Sequence, residues 1–169
     1  MRKIIVMLSV SLDGFFAGPE GELDWHLVDD ELHTHFNAEL RGMSAFLDGR
    51  VSYEGMAEFA GIWRDMPKIV YSRTLERADW NTTVVRNVVP EEVRALKAQP
   101  GGDMALVGAI LAAAFQRHGL VDEYRLYVHP VVLGEGRPLF ASDLPLRLQL
   151  VQTRTFGNGV VLLRYAVDR

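Results

Sequence analysis

The chain has 169 residues, 49% hydrophobic and 24% charged, with a net charge of −4. These are ordinary values for one globular domain, and they exclude the broad basic surface that nucleic-acid binding requires. Cysteine is absent, which rules out disulfides, thiolate metal sites and Cys nucleophiles and fits a cytoplasmic location.

The apolar run at Ile4 to Leu8 is too short for a secretory segment, and no stretch reaches the length of a membrane span. No membrane association is therefore expected. Lys3 to Val10 reads as a strand whose continuous apolar run suits burial on both faces. The following segment, Ser11 to Trp25, carries Gly14, Gly18, Pro19 and Gly21 and reads as a long binding loop. Val28 to Arg41 is expected to be helical, with Val28, Leu32, Phe36 and Leu40 on one face and Gly42 at its end.

Ala45 to Leu47 reads as a short strand. Gly49-Arg50 opens a second helix expected to run to about Ala60. Lys68 to Ser72 and Thr82 to Arg86 read as strands. Pro90, with Glu91 and Glu92 in the first turn, starts a helix. Met104 to Val107 is a strand, and Gly108 opens a helix that stops at Gly119. Tyr124 to His129 alternates apolar and polar residues like a half-buried strand, as do Leu146, Leu148 and Leu150. Gly157-Asn158-Gly159 turns into the last strand, Val160 to Val167. Strands alternate with helices and close on an antiparallel hairpin. The expected fold is a three-layer α/β/α domain with a mixed central sheet.

Three segments run from an apolar strand into a turn, and two continue into a helix. That geometry places backbone N–H groups at the carboxyl edge of a sheet, where anions bind. In the first, Gly49 admits a close ligand, Arg50 supplies a cation and Ser52 a hydroxyl. The alternative is a plain helix start with a solvated arginine. In the second, Ser72, Arg73 and Thr74 offer the groups that hold a phosphate monoester, or form an ordinary polar turn. In the third, Val107, Gly108 and Ala109 either bring a pyrophosphate near the backbone or pack a helix tightly on the sheet.

In this order, the three segments resemble the dihydrofolate reductase superfamily. The resemblance is closest to the reductase domain of bifunctional riboflavin enzymes and its stand-alone relatives. Ser11-Leu12-Asp13-Gly14 matches those relatives, as does Gly119-Leu120-Val121-Asp122-Glu123-Tyr124 leading to His129-Pro130-Val131-Val132-Leu133-Gly134-Glu135-Gly136. The resemblance implies a dihydrofolate reductase-like fold, an NADPH site, a small-molecule substrate and a homodimer. By motif position, Gly49, Arg50 and Ser52 would contact phosphates, and Ser72, Arg73 and Thr74 would select NADPH. Val107, Gly108 and Ala109 would receive the pyrophosphate, and Ala17 would line the nicotinamide side. Asp13 and Trp25 fall in the loop that would form the substrate cleft. The chain departs from the family pattern at Val107, which stands for a glycine, at Asp48, where an apolar residue is usual, and at Ser52, which replaces threonine.

A reductase acting on a C=N bond also needs a proton donor. The resemblance to dihydrofolate reductase, whose motif places the acid of the first helix five residues after the tryptophan, implies Asp30, whereas helical geometry puts Asp29 nearer the apolar face. Either could donate, or could cap the helix. His26, His33 and His35 lack the i, i+4 spacing of a helical metal pair, so no metal is expected. The function expected is an NADPH-dependent reductase of a heterocyclic, carbonyl or imine substrate. The alternative is a non-catalytic nucleotide-binding or dimeric scaffold protein of the same fold.

Overall fold

The computed structural model describes residues 1–56 and 61–169. Its elements are β1 (Ile4–Ser11), β2 (Phe15–Ala17), α1 (Asp30–Arg41), β3 (Ala45–Gly49), α2 (Arg50–Met56), α3 (Gly61–Asp65), β4 (Lys68–Tyr71), β5 (Thr82–Val85), α4 (Pro90–Ala98), β6 (Met104–Val107), α5 (Ala109–Arg117), β7 (Glu123–His129), β8 (Arg137–Pro138), β9 (Leu148–Thr155) and β10 (Val161–Val167).

Eight strands form one sheet in the order β5-β4-β3-β6-β1-β7-β10-β9. The first six run parallel, and β10 reverses against both β7 and β9. Alternate residues of each strand feed two cores. Ile4, Val6, Leu47, Met104 and Leu106 face α4 and α5, with Val93 and Phe115. Ile5, Met7, Phe46, Ala105 and Tyr127 face α1, α2 and α3, with Leu32, Tyr53 and Trp63. The architecture is the expected three-layer α/β/α with a mixed sheet ending in a hairpin. No helix among the described residues is long and apolar enough to cross a membrane.

Several boundaries differ from expectation for local reasons. The first helix begins at Asp30, because the Asp29 carboxylate accepts the Leu32 N–H at 3.0 Å and fixes the start there. Val28 is consequently exposed ahead of the helix, while Leu32, Phe36 and Leu40 pack inward. The helix expected from Gly49 to Ala60 is present as α2 from Arg50 to Met56, and 57–60 lie outside the described residues. α3, β2 and β8 are additional short elements; β2 and β8 pair in a small second sheet.

β7 is buried on both faces rather than one. Its polar residues are matched inside the protein instead of facing water. Arg125 pairs with Glu123 and with Glu39 of α1, and Arg164 joins Glu123 from β10. Tyr127 meets the His35 ring nitrogen Nε2 through its hydroxyl at 2.9 Å.

Candidate functional site

Sheet register brings the three anion-binding segments together. Gly49 pairs with Tyr71, and Asp48 pairs with Val107. The turns after β4, β3 and β6 therefore leave the carboxyl edge side by side. Neighbouring strands lie about 4.8 Å apart, so the three turns span the width of a few strands.

The tightest approach is between the first and third turns. Gly108 has φ of 120°, a conformation that side-chain-bearing residues rarely adopt, and a Cβ there would lie 3.0 Å from Ser52 Oγ. A Cβ on Gly49 would meet nothing within 4 Å. The backbone is thus bare and approachable at Gly49, with the hydroxyl of Ser52 beside it. Ala109 begins α5 immediately behind Gly108 and is buried. Val107 turns its half-buried side chain toward the core of α1 to α3. Arg50 is exposed and pairs with Glu54 at 3.3 Å. Such an i, i+4 surface pair contributes only about 0.3–0.5 kcal/mol, so the guanidinium can be drawn to a stronger anion.

At the second turn, Ser72 Oγ accepts the N–H groups of Thr74 and Leu75 at 3.2 and 3.0 Å. Ser72 thereby shapes the turn that holds Arg73 and Thr74 exposed. Arg73 Nε donates to Asn87 Oδ1 at 3.1 Å. Arg86, at the end of the neighbouring strand, donates to the carbonyls of Ser72 and Leu75 at 3.1 and 2.6 Å. Sequence reasoning missed Arg86 and Asn87. The signal was their place just after β5, beside the end of β4.

Asp48 is fully buried, its Oδ2 accepts the Trp63 indole N–H at 3.0 Å, and its Oδ1 has no hydrogen-bond partner among the described residues. Burial pushes its carboxyl up to about 7, against the smaller opposing effects of Trp63 and Lys68. Lys68, itself buried, donates to the carbonyls of Trp63, Arg64 and Met66 at 2.7–2.8 Å. Asp48 and Lys68 therefore hold α3 against the strands beneath the site.

Asp13 follows the end of β1, and the loop it contacts follows β7. Asp13 accepts the Ser11 hydroxyl at 2.6 Å and the N–H groups of Leu133 and Gly134 at 3.1 and 2.8 Å. The Ser11 hydrogen bond leads in holding its carboxyl below the usual range, with the two backbone N–H groups adding to it. Asp13 thus ties the loop after β1 to the loop after β7. Ala17 is buried in β2, and its carbonyl would stand 2.4 Å from a Cβ on Gly136. Gly136 accordingly serves a close backbone crossing beside Arg137.

Trp25 packs edge-on against His26 and His129, at centroid distances of 4.3 and 5.5 Å, and donates its indole N–H to the Glu22 carbonyl. Asp29 is spent on the helix cap. Asp30 lies with Glu31, Thr34, His35 and Arg154 along a groove of about 420 Å³ between α1 and β9. Neither acid joins the three turns after β3, β4 and β6. His129 was not singled out from the sequence, where it read as the polar face of a half-buried strand.

The mixed eight-stranded sheet with helices on both faces is that of the dihydrofolate reductase-like class of α/β proteins. Residues 2–162 match the RibD C-terminal domain model, and the chain belongs to that family. A Bacillus subtilis (strain 168) protein, named Uncharacterized protein YyaP, is 38% identical over 97% of this chain and 94% of its own length. A Shewanella sp. PV-4 structure with a riboflavin-biosynthesis description superposes with a TM-score of 0.85, at 22% identity, covering 99% of this chain and 100% of that one. Dihydrofolate reductase from Enterococcus faecalis, complexed with NADP(H), superposes at 0.71, with 17% identity and 99% and 97% coverage. These two structural likenesses are likenesses of fold.

Proposed function

We propose that the protein is an NADPH-dependent reductase that passes hydride to a small pterin- or pyrimidine-like heterocycle, or to a carbonyl or imine. The observation that carries the reading is the meeting of Gly49, Ser52 and Gly108 at one sheet edge, where a Cβ on Gly108 would close the gap to Ser52. That cradle fits a pyrophosphate: bare backbone, a hydroxyl, and the Arg50 guanidinium within the same helix start. Arg73 and Thr74, exposed beyond Ser72, suit the 2′-phosphate that separates NADPH from NADH. Support also comes from the family and from the fold shared with a reductase complexed with NADP(H).

When bound, the dinucleotide supplies the hydride. The chain's own part is to bind, orient and exclude water. The turns after β3, β4 and β6 hold the phosphates. Asp13 fixes the two loops that border the substrate side, and Trp25 anchors the segment that covers it.

Incubation with NADPH and a panel of pteridines, pyrimidines and flavins, followed at the nicotinamide absorbance, tests the reading. One class is expected to accelerate NADPH oxidation. Binding of NADPH with no acceleration by any class favours the second reading, a non-catalytic nucleotide-binding protein. The commitment of Asp29 to the helix cap and of Asp30 to an outer groove is what favours that second reading.

The reading includes a homodimer. β9 is an eight-residue strand with one free edge and seven exposed residues, including Leu150 and Val151. Such an edge invites pairing with a second copy. Sedimentation of Val151→Lys against the unaltered chain checks this, and the variant is expected to sediment as the smaller species.

A further inference from the structure

The order of strand ends also orders whatever lies across them. From the 2′-phosphate turn at β4, the line runs through β3 and β6 to β1 and then β7. The last two ends carry Ser11 and His129, which pair in register. His129 is only 1% exposed. Its Nδ1 accepts the Leu27 N–H at 3.1 Å, which places the ring proton on Nε2. That Nε2 is buried with no hydrogen-bond partner among the described residues, and so is Nε2 of His26. The two imidazoles stack at 5.1 Å between centroids and 20° between planes.

Buried polar groups in native proteins are nearly always paired, and an exception asks for a reason. Two orphaned ring nitrogens in one stack, at the end of the cofactor line, share one reason if a ligand supplies the acceptor. We infer that His129 is a substrate-contacting residue whose Nε2–H donates, in the plane of its ring, to a carbonyl oxygen or ring nitrogen of a planar heterocycle, and that His26, stacked on the imidazole face, covers the slot until that heterocycle enters. This rests on the reductase reading and names the polar floor of its substrate site.

The surroundings suit the exchange. His26 sits on the loop before α1, flanked by Leu23, Leu27 and Val28, all exposed, so it can swing out while the cap at Asp29 stays in place. Trp25 supplies an aromatic edge to whichever ring occupies the slot. Burial, with His26 adding a smaller effect, pushes the His129 imidazole down to about 4. At neutral pH it therefore offers a neutral donor, whose partner need not be an anion.

Lumazine, a pteridine dione with carbonyl acceptors, is the probe, titrated by its fluorescence in the presence of saturating NADP⁺. Two variants divide the histidine's functions. His129→Asn keeps an acceptor for the Leu27 N–H and removes the distal donor. His129→Gln places an amide donor near the position of Nε2. The inference predicts that Asn weakens lumazine binding about tenfold or more, the scale of one lost buried hydrogen bond, while Gln restores most of it.

NADPH binding, read separately by thermal shift, should be the same in both variants. In the unaltered protein labelled with 15N-histidine, saturating lumazine should move the His129 Nε2 resonance, which keeps the test valid if a variant misfolds. No binding of lumazine, equal binding by Asn and Gln, or a motionless Nε2 resonance overturns the inference. Absence of any NADPH shift counts instead against the reductase reading.

Discussion

Ser52 Oγ fills the space that a side chain on Gly108 would need, 3.0 Å from where its Cβ would lie. The start of α2 therefore sits close against the start of α5, although the two residues belong to different crossovers. Gly108→Ala therefore meets two penalties, the clash and the backbone φ of 120°. A loss of about 1–3 kcal/mol in urea unfolding is expected, together with loss of NADPH binding. Adding Ser52→Gly should relieve the clash and leave the backbone strain, so the double variant should recover part of the stability only.

Arg73→Ala should remove the preference for NADPH over NADH, with stability changed by no more than about 0.5 kcal/mol because the side chain is exposed. Arg86→Ala should act differently. It frees the carbonyls of Ser72 and Leu75, loosening the turn and weakening both cofactors. Paired calorimetric titrations of the two variants with each cofactor separate these outcomes.

Asp48 gives stability a definite pH dependence. Its folded carboxyl is raised to about 7, whereas an unfolded Asp titrates at about 3.9. The folded state therefore binds the proton more tightly, and this contribution is lost as pH rises from about 4 through about 7. The full effect is on the order of 4 kcal/mol. Asp48→Asn should flatten the decline and be the more stable protein at pH 8. His129, pushed down to about 4, slopes the opposite way and loses its contribution as pH falls from about 6.5. The difference between the melting curves of the two proteins from pH 4.5 to 8 cancels the histidine contributions they share and isolates Asp48. An identical decline in the Asn variant would mean that Asp48 does not cause it.

Lys68→Met should cost about 3 kcal/mol or more, because three buried or half-buried carbonyls lose one ammonium donor and the partner charge of Asp48 is left alone. Unfolding in urea at pH 7 measures it. An additional Asp48→Asn change should recover part of the loss.

The strand and helix sequence was legible wherever pattern and local chemistry agreed. Met104 to Val107 and the helix from Pro90 fell where apolar runs and a terminal Pro placed them. The three-turn edge was legible because each turn carries its own glycine or hydroxyl. β7 was misjudged because Arg125, Tyr127 and His129 look solvent-facing in a strand pattern, yet Glu39, His35 and Leu27 reach them from distant segments, Leu27 at Nδ1 of His129 alone. No single-strand pattern contains those partners. Asp29 and Asp30 were each open to a proton-donor or a capping role, and the Leu32 N–H shows that Asp29 caps the helix.

The most direct test of the account is a thermal-shift series with NADPH, NADH and 2′-phosphorylated AMP. At about 100 times its Kd, a ligand stabilises the folded chain by about 2.7 kcal/mol, a rise of a few degrees for a protein of this size. NADPH and the phosphorylated AMP are expected to raise the melting temperature, with NADH well behind. No rise with NADPH at millimolar concentration would contradict the claim that the turns after β3, β4 and β6 form a dinucleotide site.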